Sequence, residues 1–288
     1  MFLALVSGVI VFVCCNSVAR AEGPLPLGVM TFNIRTSNID DGANGWVHRK
    51  ALMADTIARH APHVLGLQEA LADQIEYLSE ALPEYRWLGV DRGLNGGTGL
   101  SEYTPIFYRH AELVPIESGN FWLSSTPEGP RGSGRRRNVS RIVTWAQFHH
   151  VETGLRFYVF NTHLTLRRGP RQLESVRMIT SRLATLPADS AIVVTGDFNA
   201  VAEMSDTWEA ATADRLRDAW VVAMERNGPP RTSGEFGPPA DAPDGRIDWI
   251  LVGGPVAVRS VETVVANDQD RYPSDHYPVL AQIEVQEQ

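Results

Sequence analysis

Short apolar segments of strand length alternate with amphipathic segments along most of this chain. Residues 46–60, 72–82 and 169–186 have the period of helices, and Pro170 occupies a first-turn position in the last of them. The strand-like segments are rich in β-branched and aromatic residues and lie at 27–34, 63–70, 86–90, 104–109, 142–151, 155–164, 190–198, 245–253, 258–266 and 278–285. Many short strands with a few long helices predict a layered α/β domain and exclude an all-β barrel.

The first of these helices carries a row of small apolar residues. The helical period places Val47, Ala51, Ala54 and Ala58 on one face. This face is the predicted apolar side of the helix.

The composition is that of a globular protein, since 43% of the 288 residues are hydrophobic and 21% are charged. This length fits one large domain or two small ones. The formal net charge of −8 argues against unspecific binding to nucleic acid, because such binding needs a basic surface. Every basic residue except Lys50 is arginine, and the planar guanidinium group suits phosphate.

The N-terminus has the pattern of a secretory signal. An uncharged apolar run over residues 2–15 is followed by the small-x-small triplet Ala19-Arg20-Ala21. We predict cleavage after Ala21, which separates a signal peptide (1–21) from a mature domain (22–288) that is secreted or periplasmic. An uncleaved N-terminal membrane anchor is the alternative. Both cysteines lie in the signal segment, so the mature chain has no disulfide and no catalytic thiol.

Polar side chains recur where apolar strand-like segments end or turn. They are Asn33, Glu69, His163, Asp197, Asn199 and Asp248, and Ser274, Asp275 and His276 stand just before the last strand. The ends of strands in layered α/β folds are where ligand sites collect. These residues therefore form a predicted site.

Most of these residues also have an ordinary structural interpretation. Asn33, Asp197 and Asn199 fit turns, and Glu69 fits the acidic first turn of a helix. His163 fits a hydrogen-bonded core histidine, and the Asp275–His276 dipeptide fits a surface pair. Asp248 is harder to explain in this way, because it lies within an apolar strand pattern and a buried charge needs a partner.

Together the residues indicate a hard-oxygen metal site. Carboxylate and amide ligands suit Mg²⁺, Mn²⁺ or Ca²⁺, whereas a zinc site needs several His or Cys ligands. A metal of this kind beside histidine is typical of the attack of water on a phosphate ester. Histidine exchanges protons near neutral pH, and Asp or Asn orients the water.

The motif order resembles the endonuclease/exonuclease/phosphatase superfamily. Six pieces occur in the family's order over residues 27–285, namely Asn33, "QE" (68–69), "NTHL" (161–164), "GDFN" (196–199), "RIDWI" (246–250) and "SDH" (274–276). The resemblance implies the DNase I-like fold, a four-layer α/β sandwich of two packed mixed β-sheets flanked by helices.

The resemblance also implies roles for individual residues. Glu69, Asn33 and Asp275 correspond to metal ligands for Mg²⁺, or Mn²⁺ in its place. Asp197 corresponds to the residue that positions the attacking water, and Asn199 to a phosphate contact. His276 corresponds to the catalytic histidine, Asp248 to the acid that orients it, and His163 to a second histidine. The two-residue period of a strand would then turn Phe198, between Asp197 and Asn199, into the core.

Further segments resemble a bacterial, often secreted subgroup of this superfamily. They are "SEYTPIFYR" (101–109), "SGNFWLSSTPE" (118–128), "RIVTW" (141–145) and "RYPSDHYPV" (271–279). On this resemblance Glu102, Tyr103 and Arg141 lie at the rim of the site, with Tyr103 and Arg141 predicted to bind substrate. Packing at a strand edge is the alternative for Tyr103 and Arg141. Arg135, Arg136 and Arg137 either contact an anionic substrate or lie in a solvated loop.

The leading hypothesis is a metal-dependent phosphoesterase that acts by in-line attack of water. A small or lipid-derived phosphate ester, hydrolysed by phosphodiesterase or phosphatase action, is the expected substrate. A secreted endonuclease or exonuclease is the alternative, which the acidic charge disfavours. A non-catalytic binding protein of the same fold is less favoured, because the key Glu, Asp and His are all present. A monomer is expected, without stable membrane insertion after cleavage.

Overall fold

The computed structural model describes residues 23–93, 101–129, 141–166, 169–239 and 245–286. The signal segment and Arg135, Arg136 and Arg137 lie outside the described residues, so the predictions for them stay predictions. Within the described part, no helix is long and apolar enough to cross a membrane.

Thirteen strands and five α-helices lie in the described residues. The strands are β1 (Leu25–Asn33), β2 (Val64–Gln68), β3 (Tyr85–Leu88), β4 (Ile106–Arg109), β5 (Leu113–Trp122), β6 (Ile142–His150), β7 (Arg156–His163), β8 (Ile192–Asp197), β9 (Leu216–Asp218), β10 (Glu225–Asn227), β11 (Asp248–Gly253), β12 (Val256–Thr263) and β13 (Val279–Val285). The helices are α1 (Trp46–His60), α2 (Ala72–Ala81), α3 (Pro170–Leu183), α4 (Asp206–Thr212) and α5 (Ala219–Val222).

The strands form two mixed sheets. One has seven strands in the order β10-β12-β13-β1-β2-β4-β3, and the other has six in the order β5-β6-β7-β8-β11-β9. A large apolar core with residues from both sheets lies between them. A second core joins the seven-stranded sheet to α1 and α2, and a third joins the six-stranded sheet to α3 and α4. The predicted four-layer α/β sandwich is confirmed.

Strand β1 shows how the sequence builds these layers. Leu27 and Val29 face the core between the sheets, whereas Met30 and Phe32 pack against the helices on the other side. All four side chains are fully buried. A strand buried on both faces is continuously apolar, which is the pattern of residues 27–32.

The two sheets approach closely at Gly66 in β2. A Cβ atom at this position would lie 2.2 Å from Thr195 Oγ1 and 2.6 Å from Asn161 Oδ1. Gln68 Nε2 donates to the same Asn161 oxygen at 2.7 Å. Only glycine therefore leaves room for the buried hydrogen bonds by which Asn161 of β7 joins β2 and accepts from Thr195 of β8.

The predicted apolar face of α1 is wrong except at Ala54, which is buried, although the bounds of the helix are correct. Val47 is 69% exposed, and Ala51 and Ala58 also face solvent. The buried face instead contains Met53, Ile57 and a completely buried arginine, Arg49. Hydrophobic periodicity marks a face of apolar residues. It therefore passed over the face that contains the buried cation Arg49.

Strand β5 was not predicted as a strand over its whole length. It lies at the edge of the six-stranded sheet and pairs only with β6 among the described strands. Pro115 interrupts it next to a register shift, and Gly119 lies within it. Proline and glycine are tolerated at such edges but weaken the strand pattern in the sequence.

Candidate active site

Strand pairing brings the predicted site residues to one edge of the sandwich. The parallel pairs β1–β2 and β7–β8 align Asn33 with Gln68 and His163 with Asp197. The antiparallel pair β8–β11 aligns Asp197 with Asp248. Asp248 is therefore the first residue of its strand and not an internal one. The carboxyl ends of four strands and the start of a fifth thus meet at one place, as expected for an α/β ligand site.

His276 lies against Asp248 in this cluster. Its Nδ1 is 2.9 Å from Asp248 Oδ2, and the Thr232 hydroxyl donates to the same oxygen at 2.6 Å. Burial opposes protonation of the imidazole, but the charges of Asp248, Asp197 and Asp275 outweigh it and hold the pKa of His276 well above its ordinary value. His276 is therefore a charged histidine at neutral pH.

Asp197 lies at the centre of the cluster and is 1% exposed. Its Oδ1 accepts from the backbone N–H of Asn199 at 2.8 Å, and its Oδ2 accepts from Asn33 Nδ2 at 2.9 Å. His276 Nε2 lies 3.9 Å from the same Oδ2. Burial and the charge of Asp248 raise the pKa of Asp197 to about 7. This carboxyl group therefore exchanges a proton near neutral pH.

His163 is neutral, whereas His276 is charged. Asn199 Nδ2 lies 3.0 Å from His163 Nε2, and because an amide N–H donates, this nitrogen accepts and the ring proton is assigned to Nδ1. Burial, with the charges of Arg141 and Arg92, holds the pKa of His163 well below its ordinary value. The two histidines thus present a neutral and a charged imidazole to one site.

Glu69 directly follows β2 and is half-buried. Asn33 Nδ2 donates to its Oε1 at 3.1 Å, and the backbone N–H of Thr36 donates to its Oε2 at 3.3 Å. Glu69 has a φ of 60° and Asn199 a φ of 50°, both in the left-handed region. Non-glycine residues are held in this region at a cost and are frequent at functional sites.

Asn33 connects the two carboxylates. Its Nδ2 donates to both Glu69 and Asp197, while its Oδ1 accepts from the backbone N–H of Arg35 at 3.0 Å. These hydrogen bonds favour a bridging role between Glu69 and Asp197. Its role as a metal ligand stays a prediction.

Two groups of ligand atoms could hold a divalent cation. Ligand atoms of Asp197, Asp248 and His276 lie within 4.8 Å of one another, but Asp248 Oδ2 is already bound by His276 and Thr232. Glu69 and Asp275 are the second group. Burial and the charge of Glu69 raise the pKa of Asp275, whereas His276 and Arg35 lower it, and Arg35 Nη1 lies 3.6 Å from Asp275 Oδ2. Neighbouring carboxylates of this kind are a donor set that fits Mg²⁺ or Mn²⁺.

Arg141 lies at the rim beside Glu102. Its Nη1 is buried without a hydrogen-bond partner and is 4.0 Å from Glu102 Oε2. Glu102 also pairs with Arg92 and lies 3.9 Å from His163 Nδ1. Arg141 therefore keeps a free donor next to the second histidine.

Tyr103 occupies a packing position. Its backbone N–H donates to the carbonyl of Ala70 at 2.8 Å, and its ring meets Trp87 edge-on with centroids 6.1 Å apart. The ring also packs against the core beneath α1 and α2. These contacts favour the packing interpretation over substrate binding.

The remaining prediction about this edge concerns Phe198. Its side chain is 1% exposed and stacks on Trp249 with ring centroids 4.2 Å apart. The prediction that Phe198 turns into the core between Asp197 and Asn199 is confirmed.

Sequence reasoning missed several residues that support the site through hydrogen bonds. Gln172 Nε2 donates to the carbonyls of Thr165 and Asn199 at 2.8 Å each, which fixes the segments that follow His163 and Asp197. Arg92 and Thr232 have no motif in the sequence that marks them. A buried glutamine within an amphipathic helix is the only signal available for Gln172.

A model of the endonuclease/exonuclease/phosphatase family matches residues 30–276. The chain belongs to this family. No curated protein matches the sequence significantly.

Solved structures of the same family resemble this chain over nearly its whole length. A family member from Bacteroides vulgatus is 33% identical, covers 91% of this chain and 100% of its own, and has a TM-score of 0.83. A member from Bacteroides thetaiotaomicron is 28% identical, with coverages of 92% and 100% and a TM-score of 0.82. A mannosyl-6-phosphatase from B. thetaiotaomicron is 29% identical, with coverages of 89% and 99% and a TM-score of 0.80.

Proposed function

We propose that this protein is a metal-dependent phosphoesterase that hydrolyses its substrate by in-line attack of water. The observation that carries the proposal is the pairing of a charged His276, held by Asp248, with a buried Asp197 whose pKa is about 7. Two neighbouring groups whose pKa values are displaced in this way are suited to acid and base roles.

In this proposal Asp197 holds the attacking water and accepts its proton as the bond to phosphorus forms. His276 donates a proton to the leaving oxygen as the ester bond breaks, so the products are an alcohol and phosphate, or a phosphomonoester if the substrate is a diester. Asp248 keeps His276 oriented and protonated through the 2.9 Å contact at Nδ1. Neutral His163 offers the proton on Nδ1 to a phosphoryl oxygen. Asn199 holds this ring in place, because its amide group contacts His163 Nε2 and donates to the Leu164 carbonyl, and its predicted contact with phosphate stays a prediction.

Glu69 and Asp275 would hold the cation, with Asn33 beside them. The chemistry that Mg²⁺ or Mn²⁺ would supply there is neutralisation of the negative charge of the reacting phosphate ester. The electrostatic effect of Glu69 on Asp275 supports this assignment, because burial and the charge of Glu69 raise the pKa of Asp275 although His276 and Arg35, whose Nη1 lies 3.6 Å from Asp275 Oδ2, lower it.

A small phosphorylated sugar is the first substrate class to test. The relative that is 29% identical over nearly the whole chain is named for the hydrolysis of a mannosyl 6-phosphate. The net charge of −8 disfavours a long nucleic acid, which needs a basic surface. The free Nη1 of Arg141 would bind an anionic oxygen of such a substrate.

Hydrolysis assays of the mature chain test this proposal. The substrates are p-nitrophenyl phosphate, bis-p-nitrophenyl phosphate and mannose 6-phosphate, each with Mg²⁺ and with EDTA. We expect Mg²⁺-dependent hydrolysis that decreases at least about 10²-fold in His276→Ala. Release of phosphate from mannose 6-phosphate supports the sugar-phosphate class, whereas cleavage of the diester alone points to a phosphodiesterase. Equal activity in EDTA, or in His276→Ala, contradicts the mechanism.

A further inference from the structure

Arg49 is a completely buried arginine that contacts backbone carbonyls in place of carboxylates. It lies on α1 and is 0% exposed. Its Nη1 donates to the carbonyls of Ile34 at 2.6 Å and Pro273 at 3.0 Å. Its Nη2 donates to Arg35 at 2.7 Å, and its Nε donates to Asn44 at 3.0 Å. One guanidinium group thus holds four carbonyls.

Three of these carbonyls belong to the two segments that carry the candidate metal ligands. Ile34 and Arg35 directly follow Asn33, and Pro273 is two residues before Asp275. The segments are distant in the sequence and are joined a second time by Ser274, whose hydroxyl donates to the Asn33 carbonyl at 2.7 Å. Arg49 therefore spans the junction between the two sides of the site.

The surroundings of Arg49 are those of a positioning group. The faces of Trp46 and Phe236 lie 5.1 Å and 5.7 Å from its guanidinium carbon, so the ion is enclosed by aromatic rings. Burying a charge is costly, and an apolar residue of similar volume often stabilises a fold better. The planar guanidinium group carries several N–H donors. These fix several carbonyls in one geometry, which no apolar side chain can do.

We propose that Arg49 is a positioning residue for the metal site. It sets the separation between the segment that carries Asn33, which is hydrogen-bonded to Glu69, and the segment that carries Asp275 and His276. The inference rests on the proposed function, since the geometry that Arg49 fixes matters through the cation and the reacting groups. Arg49 touches neither of them.

The test compares Arg49→Lys and Arg49→Met with matched changes at Arg59 on the same helix. The Arg59 side chain is 59% exposed and pairs with Asp55, so its variants control for the loss of an α1 arginine. Binding of Mn²⁺ to the full mature chain is followed by electron paramagnetic resonance. Hydrogen exchange is followed in residues 30–38 and 270–278.

We expect both Arg49 variants to weaken Mn²⁺ binding at least about tenfold and to speed exchange in these two segments more than elsewhere. The kcat should fall, while the KM for the substrate changes less than about twofold. Lysine keeps the charge but has a single nitrogen, so Arg49→Lys should not rescue the site. The Arg59 variants should match the wild type.

Unchanged Mn²⁺ affinity and unchanged exchange in either Arg49 variant would overturn the proposal. A uniform rise in exchange across the domain, with Mn²⁺ affinity intact, would overturn it as well, because it shows a purely structural role. A wild-type chain that binds no Mn²⁺ would remove the proposed function instead. In that case, exchange in the two segments still decides whether Arg49 holds them together.

Discussion

His276 and Asp248 meet at 2.9 Å between Nδ1 and Oδ2, although 28 residues separate them in the chain. The contact joins the segment before β13 to the first residue of β11, and it leaves Nε2 of the ring facing Asp197 at 3.9 Å. Asp248 therefore orients the imidazole, and with Asp197 and Asp275 it keeps the ring charged.

Replacing Asp248 with asparagine should shift the pH dependence of activity. The charge of Asp248 raises the pKa of His276 and also the pKa of Asp197, so its removal lowers both pKa values. The alkaline limb requires protonated His276 and the acidic limb requires ionised Asp197, so both limbs of the kcat/KM profile should move to lower pH. The maximum should fall at least about 10²-fold.

Asp218→Asn is the control for this measurement. Asp218 is another buried carboxylate of the six-stranded sheet, and it pairs with Arg246 at 2.7 Å, away from the two histidines. Its loss should lower stability and leave both limbs in place. An unmoved profile in Asp248→Asn would contradict the role assigned to the contact.

Replacing Asp197 with asparagine should stabilise the metal-free protein at neutral and alkaline pH. The pKa of Asp197 is about 7 in the folded protein and its ordinary value is 3.8, so folding disfavours the ionised form. Stability is therefore lost as pH rises from about 4 to about 7. Neutral asparagine avoids this loss, while activity should fall.

Thermal unfolding in EDTA at pH 4 and pH 8 measures this effect. The variant should melt at a higher temperature than the wild type at pH 8, by about 2–4 °C for each 1 kcal/mol, and near the wild-type temperature at pH 4. Equal melting temperatures at pH 8 would show that burial of Asp197 does not oppose its charge.

Arg141→Ala should weaken substrate binding more than it affects folding. Among the described residues the buried Nη1 of Arg141 has no hydrogen-bond partner and only a 4.0 Å contact with Glu102 Oε2, so a bound anionic oxygen is the group whose contact is lost. We expect KM to rise about tenfold or more. Arg156→Ala at the exposed start of β7 is the matched control, and a KM equal in both variants would place Arg141 outside the substrate site.

The mature protein should begin at Glu22. Expression of the full chain with an intact export system, followed by N-terminal sequencing of the exported protein, measures this directly. A protein that keeps residues 1–21 and sediments with membranes would support the N-terminal anchor instead.

The layered α/β class could be predicted because side-chain types mark the alternation of strands and helices, whereas the four-layer sandwich of two sheets was implied by the resemblance of the motif order to the family. The bounds of α1 agree with the predicted 46–60, and the site residues were found because polar side chains at apolar strand ends are conspicuous. The predicted buried face of α1 was wrong. The face that is buried contains Arg49, whose partners are backbone carbonyls, and the sequence does not mark which carbonyls fold against it.

The same reason explains what the sequence did not reveal about the site. Thr232 and Gln172 act through hydrogen bonds to a carboxylate and to carbonyls brought together only by folding. The charge states of His276 and His163 are also set by burial and by neighbouring charges. No local pattern distinguishes the two histidines, although the structure makes one a cation and the other neutral.

In the proposed mechanism, hydrolysis needs a cation that Glu69 holds. The most direct measurement is the activity of EDTA-treated wild type and Glu69→Gln on a phosphate ester, while Mg²⁺ is titrated back. We expect the wild type to recover fully at saturating Mg²⁺, whereas Glu69→Gln should stay at least about 10²-fold lower or need far more metal. Hydrolysis by EDTA-treated wild type without added metal, or identical Mg²⁺ curves for the two proteins, would contradict it.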